Sequence, residues 1–180
     1  VSVAGRLSAL LDRAIAGLSG WLGRLAAVLL MAMVGVVLAD IMSRTLFKLT
    51  GGGLDLTFPG GVELVSLGLL FTLLCAMPRA VESGQVVVDL TTHRLSPLGR
   101  RRLQGFFALG YAGLGAVMAR HAGLDVSAAA RAQETTQDLL IPLAPIHAAE
   151  AVAAGVLTLA ALRVAVRALA GRPEAEESPR

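Results

Sequence analysis

The stretch LAAVLLMAMVGVVLA, residues 25–39, contains no charged and no hydrogen-bonding side chain, so as a helix it is apolar in every direction. Such a helix is stable only in lipid or wholly covered by protein. Three similar runs follow, Leu64–Pro78, Leu103–Ala119 and Leu139–Leu162, and Glu150 is the single Asp, Glu, Lys or Arg in all four. A chain of 180 residues is too short to cover four greasy helices with its own mass. The reading is therefore an all-α integral membrane protein with four transmembrane helices.

The charge-free runs are in part shorter than the roughly 18 residues expected of a span, and the flanks supply the rest. Arg24 and Arg44 can snorkel from the ends of the first helix, and Glu63 and Arg79 bracket the second. This predicts spans of about 21–47, 61–78, 101–121 and 140–167, forming a single membrane domain over residues 1–170. Composition agrees: 55% of residues are hydrophobic and 16% charged, with a mean hydropathy of +0.70, whereas soluble domains carry about 25% charged residues.

Arginine placement predicts the orientation. Arg6, Arg13 and Arg24 precede the first span; Arg79, Arg94 and the triplet Arg100, Arg101 and Arg102 lie between the second and third; Arg163, Arg167 and Arg172 close the chain. The other two connections hold only Lys48, then Arg120 and Arg131. The positive-inside rule then places both termini and the middle connection in the cytoplasm. A pI near 10.0 follows from this topology and from anionic lipid, without nucleic acid. No extramembrane piece reaches the roughly 40 residues that an independent core needs, which excludes a soluble catalytic domain. No short apolar segment with a cleavage site opens the sequence, so the first span is expected to serve as its own insertion signal.

Ahead of that span, Leu7, Leu10, Leu11, Ala14, Ile15 and Leu18 recur at helical spacing between Arg6, Ser8, Asp12 and Arg13. This predicts an amphipathic helix over about 5–20 lying on the inner membrane surface. Val86, Val87, Leu90 and Leu95 suggest a second interfacial helix on the same side, and residues 171–180, rich in Pro and Glu, are expected to be a disordered tail.

Few side chains could carry chemistry. Cys75 is the only cysteine and reads as a small buried hydrophobe. His93, His121 and His147 fall on different helices or sides, a poor arrangement for haem, and no phosphate loop, nucleophile elbow or zincin motif is present. No catalytic, cofactor or metal residue is assigned. Asp40, Arg44 and Glu63 are the informative group: Asp40 and Arg44 share a helix face, and Arg44 and Glu63 are expected at similar depth. They form a candidate structural charge cluster in which Arg44 bridges to Glu63 and clamps the first hairpin. Glu150 lies inside the last span, within reach of water if that helix starts at Pro142–Pro145 and in need of a partner if it starts at Leu139; it reads as an ion-path residue or as a contact to another subunit. Arg79, Arg100, Arg101 and Arg102 are candidate partner or lipid contacts. Small residues, Gly105, Gly110, Gly113, Gly115 and Ala119 in the third span and Ala148–Gly155 in the fourth, permit close helix packing.

Three pieces in order carry a family resemblance: Ala39-Asp40-Ile41-Met42-Ser43-Arg44-Thr45-Leu46-Phe47, then Gly61-Val62-Glu63-Leu64, then Arg79 through Ser83-Gly84-Gln85-Val86-Val87-Val88-Asp89-Leu90. Thr135-Thr136 before Leu140-Ile141-Pro142 adds a fourth. Over most of residues 20–170 the chain resembles the small membrane subunit, DctQ type, of tripartite ATP-independent periplasmic (TRAP) transporters. It departs from that family at Gln85, where histidine is frequent, and in having few aromatics at helix ends.

The resemblance implies a non-catalytic scaffold in the bacterial inner membrane. It would brace a large permease subunit as a heterodimer, while a periplasmic solute-binding protein delivers an organic anion, such as a carboxylate, for sodium-coupled uptake. Membrane lipids are the remaining partners. Two other functions fit the residues: a small haem- or quinone-associated redox subunit using the histidines, and a self-sufficient homo-oligomeric exporter with Glu150 as its proton site. The transported substrate is not written in this sequence.

Overall fold

The computed structural model describes residues 3–53, 56, 59–83 and 96–170, with side chains in the first helix from residue 10 onward, residue 11 apart. Four helices account for nearly all of them: α1 (Val3–Leu49), α2 (Gly61–Glu82), α3 (Pro97–Ala132) and α4 (Leu143–Leu169). They run up, down, up and down. The end where α1 stops and α2 begins is called the upper end below.

Local sequence explains the boundaries. After α1 come Thr50, Gly51 and Gly52, and both glycines take positive φ, 59° and 88°. The Gly52 N–H reaches the Phe47 carbonyl at 3.0 Å and the Gly51 N–H that of Lys48 at 3.3 Å. This is the paired closure that satisfies orphan carbonyls and favours glycine just past a helix. At the start of α3 the Ser96 hydroxyl accepts from the Gly99 N–H at 3.2 Å, and Pro97 fills the first helical position, where no N–H is needed. Pro142 sets the start of α4. Pro78, inside α2, removes one intrahelical bond, a loss that membrane helices tolerate when neighbours cover the backbone.

Helix α4 is the centre of the bundle, packing on all three others. Its inward face is made of Ala154, Leu157, Ala160, Ala161 and Ala165, none more than 1% exposed. Small residues let α3 approach it closely: a Cβ on Gly115 would stand 2.7 Å from the Thr158 hydroxyl and 3.1 Å from the Ala154 carbonyl. Gly110 and Gly113 instead face open space. On the other side α1 and α2 form a hairpin whose register is set at two points, Gly68 beneath Met33 and Gly23 against the stem of Arg79. One buried cluster, Leu22, Ala26, Cys75 and Val156, joins that hairpin to α4, and a second, Val81, Ala112, Leu157 and Ala161, joins α2, α3 and α4.

Three helical stretches are long and apolar enough to cross a membrane: Asp12–Leu49, Gly61–Glu82 and Leu143–Leu169. The four-span expectation meets this bar only in part. Helix α3 has the length but not the hydropathy, because glycines dilute its apolar run between Arg100–Arg102 and Arg120. It also continues to Ala132, well beyond the expected end near 121, so much of the expected third connection is helical.

The amino-terminal surface helix differs too. Residues 3–49 form one uninterrupted helix, with no boundary between the amphipathic stretch and the span. No proline interrupts the sequence there, and the stretch is tied to the bundle through Asp12. The second expected surface helix and the tail lie outside the described residues.

Candidate functional site: polar clamps at the two ends of the bundle

At the upper end the connection between α3 and α4 is folded into a tight turn. Gln133 ends α3 in the left-handed region, and Leu140 is also left-handed, at φ 53°. Thr135 and Pro142 form an isolated antiparallel bridge; the Thr136 N–H reaches the Ile141 carbonyl at 2.9 Å and the Leu143 N–H that of Glu134 at 3.0 Å. The buried Thr136 hydroxyl accepts from the Ile141 N–H at 3.0 Å. These are the residues of the Thr-Thr and Leu-Ile-Pro piece singled out in the sequence.

Glu63 closes this turn from the opposite hairpin. Its Oε2 accepts from the Asp138 N–H at 2.8 Å and from the Leu139 N–H at 3.1 Å, and the Thr136 hydroxyl lies beside the carboxylate. Gly60, at φ 89°, makes room for it: a Cβ there would strike the Leu139 side chain at 2.8 Å. A single carboxylate at the first turn of α2 therefore fastens the entry to α4. Hydrogen bonds from main-chain N–H to an ionised acceptor are among the stronger ones.

Arg44 pairs instead with Asp40, Nε to Oδ2 at 2.8 Å. The expected bridge from Arg44 to Glu63 is not formed, and the hairpin register gives the reason. With Met33 over Gly68, the first turn of α2 comes level with Asp40, and Asp40 and Gly61 line the same cleft. Arg44 thus stands above the start of α2, 58% exposed. Glu63 lies lower and faces the turn. Beside the pair, Ser43 donates its hydroxyl to the Leu56 carbonyl, holding that residue against α1.

The lower end holds a cluster that sequence reading missed. Arg163 of α4 is only 13% exposed and its Nη1 reaches Glu82 Oε1 at 3.0 Å and donates to the main-chain carbonyl of Asp12 at 2.9 Å. Its Nε is 3.7 Å from Asp12 Oδ1, and Arg167 Nη2 is 3.0 Å from Asp12 Oδ2. Two acids and two arginines from α1, α2 and α4 thus neutralise one another at the helix ends. The positive-inside count uses Arg163 and Arg167 only as cytoplasmic charges and gives them no partner. The signal that could have found the cluster was the pair of acids, Asp12 and Glu82, at the edges of apolar helices, where carboxylates require partners.

Glu150 has a partner on its own helix: Oε2 is 2.9 Å from His147 Nδ1, and both side chains are about one-fifth to one-quarter exposed. His121 is exposed. Arg79 is exposed with its stem against Gly23; Arg100, Arg101 and Arg102 project from the first turns of α3 at the lower end. Cys75 is buried in the α1–α2–α4 cluster. Among the described residues no group of three or more His, Cys, Asp or Glu is placed to hold a metal ion. The charged side chains of Glu63, Asp12, Glu82, Arg163 and Arg167 each reach another helix or turn.

No curated protein and no solved structure matches the chain. The family model described as "Tripartite ATP-independent periplasmic transporters, DctQ component" matches residues 33–171. That stretch takes in the upper part of α1 and all of α2, α3 and α4, including Asp40, Arg44, Glu63 and the turn that Glu63 holds. The chain belongs to the DctQ family, the small permease component of TRAP transporters.

Proposed function

We propose that this chain braces the large permease subunit of a TRAP transporter in the bacterial inner membrane, as a one-to-one heterodimer, while a periplasmic binding protein delivers an organic anion for sodium-coupled uptake. The observation that carries the reading is the family match over residues 33–171. The arrangement of polar groups supports it: they tie helix ends together, and long runs of exposed apolar side chains, such as Val28, Met31 and Val34 on α1 and Phe106, Leu109 and Val117 on α3, remain for lipid and a partner. Among the described helices there is no unwound membrane segment of the kind that builds a transport site.

In this reading α3 is the fourth span. Its weak hydropathy is offset by close packing on α4 along Gly105 and Gly115 and by the permease on its open side. The lower end, with Arg79 and Arg100–Arg102, is cytoplasmic, and so are both termini. Co-expression with the large subunit tests the core of this proposal: the two proteins should co-elute in detergent at equal stoichiometry. A well-behaved monomer or homo-oligomer that ignores the permease would contradict it. Cysteine at Ala128 in a Cys75→Ser background should react with an impermeant maleimide in intact cells, and labelling at Ser96 instead would reverse the orientation.

A further inference from the structure

We infer that the amino-terminal part of α1 is a releasable latch, held upright on the bundle by Asp12 and able to fold onto the membrane surface about Gly17 and Gly20. The lower clamp is what holds it. Asp12 is the only residue of α1 joined to that clamp by the described ion pairs, through Arg163 and Arg167 of α4, and its own carbonyl takes a further bond from Arg163. Asp12 also lies ahead of the stretch that matches the family, residues 33–171. The clamp therefore joins the shared four-helix body to a segment outside it.

Two observations show why that segment has a second place to go. Its sequence carries an apolar stripe, Leu7, Leu10, Leu11, Ala14, Ile15 and Leu18, yet in the upright arrangement Leu10 is 61% and Leu18 44% exposed. By the Met33–Gly68 and Gly23–Arg79 register, this part of α1 runs past the end of α2, which therefore cannot cover it. A lipid surface can cover such a stripe. Between Asp12 and the buried span lie Gly17 and Gly20, both with open space where a Cβ would sit. Glycine has the lowest helix propensity after proline, and helices bend where glycines cluster. Gly23 is different: it is packed on Arg79, which fixes the span above the bend.

Two arrangements follow. With the Asp12 pairs formed, α1 is straight. With them broken, the segment pivots at Gly17–Gly20 and lays its apolar stripe on the cytoplasmic leaflet, while Arg163 keeps Glu82. Asp12 is 39% and Arg167 41% exposed, so the outer pair is open to water and can be broken without disturbing the buried one. The movement takes its leaflet from the proposed orientation but does not depend on a permease partner.

Spin-label distance measurement on the full chain in lipid bilayers tests it, with Cys75→Ser and labels at Leu10→Cys and Val166→Cys. Otherwise native protein should give mainly one short distance. Asp12→Asn should add a population longer by roughly 10–15 Å, the swing of a seven-residue arm rising about 1.5 Å per residue. Arg167→Gln should add a smaller share of it, and serves alone if Asp12→Asn does not fold. Gly17→Ala with Gly20→Ala, added to Asp12→Asn, should restore the short distance by stiffening the bend. An unchanged distribution in both Asp12→Asn and Arg167→Gln overturns the latch, as does a native chain already in the long arrangement. A long population that survives both alanines overturns the assigned hinge.

Discussion

The two ends of this bundle are fastened by different physics. At the upper end one carboxylate, Glu63, accepts two main-chain N–H groups from a turn that is already closed by its own hydrogen bonds. At the lower end four charged side chains from three helices neutralise each other, with Arg163 and Glu82 largely out of water. A main-chain clamp depends on the shape of one turn and tolerates neighbouring change. A side-chain ion clamp depends on its buried members, because removing Arg163 or Glu82 leaves a charge largely out of water without compensation. The lower end is therefore the more brittle, although its pairs are no shorter.

The difference can be tested by substitution, in order of expected effect. Arg163→Ala should be the most damaging single change, since it leaves Glu82, 6% exposed, unpaired; a loss of about 3–5 kcal/mol is typical of such a break. Unfolding in detergent would measure it. Replacing Arg163 and Glu82 together by Met and Leu should recover much of that loss, because paired apolar replacement removes both desolvated charges. Glu63→Ala should come second, freeing the Asp138 and Leu139 N–H groups, while Glu63→Gln, which keeps an acceptor, should lose less. Thermal midpoints of the two variants that coincide would show that a neutral acceptor is of no value there.

Between the ends, Gly115→Ala should cost about 1–3 kcal/mol, the usual penalty of overpacking, because its Cβ meets the Ala154 carbonyl and Thr158. Gly110→Ala, where the side chain meets open space, should leave the isolated subunit unchanged. Arg44→Ala should have the smallest effect, within the roughly 0–1 kcal/mol of an exposed pair. Combined with Glu63→Ala its effect should simply add, since the two residues share no interaction here. Marked non-additivity in that double-mutant cycle would mean that Arg44 and Glu63 act together after all.

The helices themselves were legible because long runs with at most one charge permit little else, whereas their ends were read from flanking charges, and the backbone reasons at Gly51-Gly52, Ser96-Pro97 and Pro142 that set the boundaries went unused. The end of α3 was not, since Leu124 through Ala132 holds charges that argue against a span but nothing that stops a helix. The Asp40–Arg44 pair was readable as a spacing of four on one helix. Glu63 was recognised as a fastening residue but assigned the wrong partner. Its true acceptor geometry depends on the hairpin register, which Met33 settles by lying over Gly68, and no spacing in the sequence encodes that contact. Residues Asp12, Glu82 and Arg163 are brought together only by the packing of three helices, so each looked like an isolated flank charge.

If the clamps at Glu63 and Arg163 only hold the subunit in shape, as proposed, their loss changes how much complex assembles and not what that complex transports. Uptake into reconstituted vesicles, normalised to the amount of assembled complex, tests this most directly for Glu63→Ala and Arg163→Ala. Both variants should yield less complex, with uptake per complex and preference among substrates unchanged. Normal assembly with reduced uptake per complex, or an altered substrate preference in either variant, would contradict it.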